Sequence, residues 1–235
     1  MAHRRSYGSY NDGCAAAHAL DLVGERWTLI VVRELLLGPK RFSDIQRDVL
    51  GIGPAVLTAR LQELEAGGIA RRRRMPGPGR IAVYELTEWG YGLEAVNTAL
   101  SRWAVDSPAL QREADMSPDT VVLAMRAHSR PAPGCAGERR VALSLTDSRR
   151  LDAQPVSYLA RMSAQATTID RSLEPEPTDA QVWATTQDWK ACVIGGAALE
   201  RLPNVHVSGS HDTVRQLINA TSLSGPAGSP FIAEA

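Results

Sequence analysis

Apolar positions between residues 43 and 86 repeat at helical spacing and then give way to two short apolar segments. Leu57, Leu61 and Leu64 recur at intervals of four and three, which places them on one helical face. Pro54 fits the first position of this helix, where its missing N–H would be unpaired in any case. Gly67-Gly68 ends the helix, because glycine adopts the left-handed C-terminal conformation without strain. The pattern predicts a helix over residues 54–66.

A second, shorter helix precedes it, and a ribbon follows. Ser43 can cap the shorter helix while Gln46 reaches back to it, as in a capping box. Gly51-Ile52-Gly53 then forms a tight turn. Strands over residues 69–75 and 81–86 complete the order helix, turn, helix, β-ribbon. This order predicts a winged helix-turn-helix.

The flanking segments are also amphipathic. We predict helices over residues 14–23, 27–37 and 87–105, with Thr87 as the cap of the last. The last helix carries an apolar stripe of Leu93, Val96, Leu100 and Trp103. These helices offer more apolar surface than so small a domain can bury, which indicates a dimer interface.

Beyond residue 118 the pattern becomes mixed. Alternating apolar residues predict strands at Val121/Leu123/Met125, Val141/Leu143/Leu145, Val156/Tyr158/Ala160/Met162, Val182–Thr185 and Val205–Val207, with helices over 188–194 and 213–220. The predicted fold class is α+β with a mostly antiparallel sheet in the second half. The expected domains are residues 1–108 and 119–222, followed by a disordered tail over 223–235.

Composition changes this picture little. The formal net charge is zero, so only a local cluster of basic residues can argue for nucleic acid. Cys14, Cys135 and Cys192 lack the spacing of metal ligands or of a disulfide framework. No segment is apolar enough to span a membrane or act as a signal core. We therefore expect a soluble cytoplasmic protein without metal, cofactor or catalytic residues.

Several spaced motifs resemble one known family. They are Cys14 followed by residues 19–29 (ALDLVGERWTL), Arg33-Glu34-Leu35, residues 40–45 (KRFSDI), residues 57–61 (LTARL) and Tyr84-Glu85-Leu86-Thr87. Together, over about residues 12–106, they are similar to the HxlR-type winged-helix transcriptional regulators. The resemblance implies a homodimer that binds operator DNA. Many relatives carry a basic residue early in the recognition helix, where this chain has Ala55.

The candidate DNA contacts divide into two groups. Arg71, Arg72, Arg73, Arg74 and Arg80 lie on the predicted wing, where guanidinium groups can donate to phosphates. The alternative is a solvated charged hairpin without a DNA contact. In either case some of these arginines must point away from DNA, because side chains alternate along a strand. The second group comprises Lys40, Arg41, Ser43, Pro54, Ala55, Thr58 and Gln62 around the helix-turn-helix. Arg60 suits a phosphate contact or a structural ion pair equally well.

The second half resembles the sterol-carrier-protein-like domains through its strand order, Asp188-Trp189, residues 205–209 (VHVSG) and a final helix. Such domains hold apolar ligands beneath a curved sheet. Tyr158, Met162, Trp183 and Trp189 are the candidate lining residues, and core packing explains them equally well.

Cys14 occupies the position of a thiol that senses oxidants or quinones in some members of the HxlR family. A small buried core residue is the preferred interpretation. The leading hypothesis is a DNA-binding regulator tuned by a small apolar ligand. The alternatives are a hydrophobic-ligand carrier that uses the winged helix to dimerise, an enzyme with its active site in the second domain, and a redox-responsive regulator.

Overall fold

The computed structural model describes residues 9–75, 81–135 and 137–223. The chain divides into two compact units, one up to Asn97 and one from Thr98 onward. Within the described ranges, no helix combines the length and apolarity needed to cross a membrane.

The first unit is a winged helix-turn-helix. Its elements are α1 (Ala15–Val23), α2 (Thr28–Leu35), α3 (Phe42–Asp48), α4 (Pro54–Ala66), β1 (Ala70–Arg74), β2 (Ala82–Leu86), α5 (Glu88–Tyr91) and the start of α6 (Leu93–Ala104). The predicted leucine stripe of α4 is buried, and Pro54 opens the helix as expected. Gly68 takes the left-handed conformation after α4, with φ 69°. The helix, turn, helix and ribbon order is therefore confirmed.

Two details of the first unit differ from the prediction. Ser43 does not cap α3: the helix begins at Phe42, Arg41 holds the N-cap position, and no side chain caps it. The predicted long helix is broken into α5 and α6. Its cap is confirmed, since the Thr87 hydroxyl accepts the Gly90 N–H at 3.0 Å. A Cβ on Gly90 would lie 2.0 Å from the Ile69 carbonyl oxygen, so this tight first turn packs directly on the β-ribbon.

In its described residues, the second unit is built on a five-stranded mixed sheet with helices packed against it. It comprises α7 (Pro118–Ala127), β3 (Arg139–Thr146), β4 (Val156–Met162), β5 (Thr167–Arg171), β6 (Ala180–Thr185), α8 (Thr186–Val193), a 3₁₀ turn (Leu199–Arg201), β7 (His206–Gly209) and α9 (His211–Thr221). The strand order is β5-β4-β3-β6-β7, with only the central β3–β6 pair parallel. Alternate residues of β3 and β6 are buried, and the helices pack against this sheet.

The segment around Val121 was predicted as a strand, and this prediction is wrong. Pro118 occupies a first-turn position of α7, and the Ser117 hydroxyl accepts the Thr120 N–H at 3.1 Å. Val121, Val122 and Met125 are completely or almost completely buried, and their spacing is helical. Cap and proline therefore outweigh the accidental alternation at 121, 123 and 125.

Strand β5 was not predicted. Its central Ile169 is flanked by threonines and charged residues, so the segment shows too little apolar alternation to be recognised. The expected tail beyond residue 223 lies outside the described residues.

Candidate nucleic-acid interface

The four consecutive arginines of the wing separate into two pairs. Arg71 and Arg73 share a carboxylate: Arg71 Nε donates to Glu85 Oε1 at 2.7 Å, and Arg73 Nη2 lies 2.9 Å from Glu85 Oε2. Glu85 is only 7% exposed. It lies directly opposite Arg71 in the β1–β2 register. Two of the four guanidiniums are therefore held by one carboxylate, which offsets one of their two positive charges.

Arg72 and Arg74 point to the other face of β1, because side chains alternate along a strand. Arg72 lies over the Tyr84 ring, with its guanidinium carbon 5.9 Å from the ring centroid. Both arginines are exposed and have no carboxylate partner within residues 9–75, 81–135 and 137–223. On the described part of the wing, they are the guanidiniums whose charge no carboxylate offsets. Arg80 falls outside the described residues.

Helix α4 presents a short, uncharged surface at its start. Pro54, Ala55, Thr58 and Gln62 are exposed, as predicted. The Thr58 hydroxyl donates to the Pro54 carbonyl oxygen at 2.9 Å, so its methyl group faces outward more readily than its proton. Gly53 holds the N-cap position without a side-chain cap, and the first turn carries no acidic residue. Unpaired N–H groups at such a helix start can receive a phosphate.

Lys40 does not belong to this surface, which corrects the predicted phosphate contact. The side chain is 3% exposed, and its ammonium lies 2.7 Å from Glu34 Oε2 and 2.9 Å from Asp48 Oδ2. Its backbone exchanges two hydrogen bonds with Tyr84, so Lys40 is also tied to β2. Burial alone would raise the pKa of Asp48, but the charges and hydrogen bonds of Lys40 and Arg47 outweigh burial and lower it. Lys40 thus joins α2, α3 and the ribbon.

Arg60 is likewise a structural residue. Its guanidinium lies 3.3 Å from Glu25 and 2.9 Å from Glu63, and the side chain is largely covered. The ion-pair alternative therefore describes Arg60, and the phosphate contact does not. Arg41 and Ser43 remain exposed at the start of α3 and keep their candidate role.

Cys14 is an exposed thiol at the N-cap of α1, contrary to the buried core residue that was preferred. The backbone N–H groups of Ala17 and Ala16 lower the pKa of this thiol below its ordinary value. Cys192 is buried, and burial together with the charges of Asp188 and Glu200 raises its pKa to about 11. Cys14 is therefore the more nucleophilic of the two.

Three of the four ligand-lining candidates in the second unit belong to the packed core. Tyr158, Met162 and Trp189 have no exposed surface. The Tyr158 hydroxyl donates to Asp119 at 2.6 Å, and Arg171 donates to the same carboxylate at 2.9 Å. Their prediction as cavity-lining side chains is corrected, because the helices fill the space that a ligand would occupy. Trp183 alone is exposed.

Sequence reasoning missed Glu85, although a signal for it existed. Once the two strands are placed, the ribbon register sets Glu85 opposite Arg71. Glu34 and Asp48 were missed for another reason. They reach Lys40 from two different helices, and no spacing rule connects them.

Comparison with known proteins agrees with the first unit. Residues 22–111 match the HxlR-like helix-turn-helix family. The HTH-type transcriptional regulator YodB of Bacillus subtilis (strain 168) is 37% identical over 86 residues, which are 37% of this chain and 77% of YodB. The uncharacterized HTH-type transcriptional regulator YybR of the same organism is 31% identical over 103 residues, covering 44% of this chain and 82% of YybR. The solved structure of reduced YodB has a TM-score of 0.38, with 34% identity over 41% of this chain and 95% of that chain.

The family match ends at residue 111, so the resemblance of the second unit to sterol-carrier-protein-like domains stays a prediction. The two curated relatives are named as transcriptional regulators and align with this chain over most of their own length. The chain therefore belongs to the HxlR-like helix-turn-helix family of transcriptional regulators.

Proposed function

We propose that this regulator binds operator DNA as a homodimer, with the wing on the phosphate backbone and α4 in the major groove. The observation that carries the proposal is the pair Arg72 and Arg74, exposed and without a carboxylate partner on the described part of the ribbon. The uncapped start of α4 supplies a second anion-binding element on the same unit. Phosphate contacts from both would position the exposed Thr58 and Gln62 over base edges.

The dimer is supported by apolar surface that the described residues leave uncovered. Helix α6 has no buried residue, although Val96, Leu100 and Trp103 lie along one stripe. Trp103 is 80% exposed, and Leu20 on α1 is half exposed. Large exposed apolar residues arranged in this way are typical of an interface rather than of a monomer surface. The predicted stripe on α6 and the α1 helix remain the proposed contacts.

Replacing Trp103 with alanine is expected to weaken dimerisation by roughly 30-fold or more, because central aromatic residues dominate interface energetics. Sedimentation velocity over a concentration series measures the change. Trp89→Ala is the matched control, since Trp89 is also exposed but lies on α5, outside the proposed stripe. Equal effects of the two substitutions would contradict the assignment of α6.

A footprinting experiment tests the DNA proposal itself. A two-fold protein reads a two-fold site, so protection should cover an inverted repeat with half-site centres about one helical turn, roughly 34–36 Å, apart. Genomic fragments selected by the purified protein supply the candidate operators. Failure to select any sequence, or protection by one protomer per site, would refute the homodimeric regulator.

The second unit is proposed as a sterol-carrier-like domain whose apolar ligand adjusts operator affinity. Support comes from the mostly antiparallel sheet covered by helices, and from a cleft of about 620 Å³. Cys192, Leu199 and Ile218 line it together with charged residues such as Glu200 and Arg215. This volume lies within the usual range of small-molecule sites. Native mass spectrometry would detect a co-purifying apolar compound. If this compound changes the affinity of the protein for operator DNA by some factor, operator DNA must change the affinity for the compound by the same factor.

A redox-responsive regulator is the second candidate function, favoured by the exposed Cys14 and its lowered pKa. It is distinguished by an oxidant titration of operator binding. In that case Cys14→Ser, and not Cys192→Ser, should abolish the response. A carrier without operator binding would fail the footprinting experiment.

A further inference from the structure

The solvent face of the sheet in the second unit carries an exposed tryptophan. Val182 and Ala184 of β6 face the buried side, so Trp183 points to the opposite side and is 43% exposed. Its cross-strand partners are Ser144 on β3 and His206 on β7. Neither neighbour buries the indole. Trp183 lies on β6, so it is not part of the apolar stripe on α6 that is proposed as the dimer interface.

A cleft of about 290 Å³ is formed between this face and the segment that follows β5. Trp183, Ser144 and Ser157 line it on the sheet, and Glu174 and Pro175 line it on the connecting segment. Ser157 pairs with Ser144 across the strands, so two hydroxyl groups lie side by side next to the indole. An apolar ring in a concave site with a few polar groups has the composition of a small-ligand site.

The charges around the cleft indicate which ligand it would take. Glu176 already accepts from Arg161 at 2.8 Å and lies 3.7 Å from Arg140. Arg140 is further paired with Glu138 at 2.7 Å. Glu174, by contrast, is exposed and has no cation beside its carboxylate within the described ranges. The cleft therefore combines one uncompensated negative charge with an indole, while the nearby arginines are paired with carboxylates.

We propose that this cleft binds a small free quaternary ammonium cation between the Trp183 indole and the Glu174 carboxylate. Tryptophan is the aromatic side chain that attracts a cation most strongly, through the negative face of its ring. The serine hydroxyls can accept a hydrogen bond from a polar group attached to the cation. The volume restricts the ligand to a compact head group. This site lies on the outer face of the sheet, apart from the cleft lined in part by Cys192, Leu199 and Ile218.

Choline is a suitable probe, and 3,3-dimethylbutan-1-ol is its neutral isostere of nearly equal shape. Calorimetric titration of the full chain without DNA should show choline binding at least tenfold more tightly than the alcohol, because only choline gains the cation–π and carboxylate attraction. Sodium chloride at equal ionic strength serves as the blank. Equal binding of the two compounds, or no choline binding at millimolar concentration, would overturn the proposal.

Two substitutions locate the site. Trp183→Leu should weaken choline binding by roughly tenfold or more, and Glu174→Gln should weaken it several-fold. Both residues are exposed, so far-UV circular dichroism should remain unchanged. Trp89→Leu, at an exposed tryptophan of the first unit, is the matched control and should leave the affinity unaltered. An unchanged affinity in Trp183→Leu would also overturn the proposal.

A titration with a second compound distinguishes a free cation from a lysine side chain of a partner protein. If Nα-acetyl-lysine-amide binds much more tightly than choline, the site is a docking point for a peptide and the free-ligand assignment is wrong. Any influence of choline on operator affinity rests on the proposed function, whereas its binding does not. If the protein binds choline but no operator, the proposed operator binding is wrong and the proposed cation site stands.

Discussion

Replacing Arg72 and Arg74 with alanine is expected to weaken duplex DNA binding by about a hundred- to a thousand-fold at 0.15 M salt. Each phosphate neutralised by a basic group releases about 0.9 counterion, and a dimer would lose four such contacts. The slope of log K against log salt should accordingly flatten by about 3–4, from an expected value of roughly −5 to −9 for the wild type. The loss should be similar for specific and random sequences, since phosphate contacts carry no base information.

The matched control removes the same charge elsewhere. Arg139 and Arg140 are neighbouring arginines on β3 of the second unit, and each is paired with a carboxylate. Their double alanine variant lowers the net charge equally but should leave the salt slope within about one unit of the wild type. Fluorescence anisotropy at four or more salt concentrations measures both variants. An unchanged slope in the Arg72/Arg74 variant would remove the wing from the DNA interface.

Replacing Lys40 with alanine is expected to cost about 2–4 kcal/mol of stability, because it removes the ammonium that the largely buried carboxylates of Glu34 and Asp48 share. Each carboxylate keeps one arginine partner, Arg33 or Arg47, so the charges are only partly uncompensated. This loss is a large part of the stability of a typical domain. Urea unfolding followed by circular dichroism measures it. Arg41→Ala is the control, since Arg41 is the exposed neighbour and should change stability by about 0.5 kcal/mol or less. A similar small effect of Lys40→Ala would show that the cluster is not stabilising.

The same cluster sets a pH dependence. The pKa of Asp48 is lower in the folded chain than its ordinary value, so the unfolded chain takes up this proton first as the pH falls. Stability from Asp48 is therefore fully present above about pH 4–5 and is lost as the pH falls through the lowered pKa. Asp48→Asn should remove this part of the acid dependence.

The features that could be predicted from the sequence are those that depend on nearby residues. The leucine stripe, Pro54 and the glycines after α4 lie within one segment, so periodicity and cap chemistry suffice to place the helix-turn-helix. The strand predicted around Val121 is a helix instead, because Ser117 and Pro118 favour a helix start and outweigh the apolar alternation. These two signals are equally local in sequence.

Burial depends on partners that are distant in sequence, and here prediction was limited. Strand parity shows that Tyr158 and Met162 share one face and that Trp183 is opposite to Val182. It does not show which face the helices cover. Lys40 illustrates the same limit, because a lysine in the KRFSD motif gives no sign that carboxylates from the two flanking helices enclose its ammonium.

The exposed surface of α4 has a consequence for how specific the operator sequence can be. Ala55 offers the groove only a methyl group, Thr58 uses its proton within the helix, and Gln62 alone among the exposed residues of its first nine positions has a free amide. Under the proposed binding mode, most recognition would then come from the groove width and deformability of the duplex rather than from contacts to individual bases. The information content of each half-site would be low, and a promoter could gain or lose this control through few base changes.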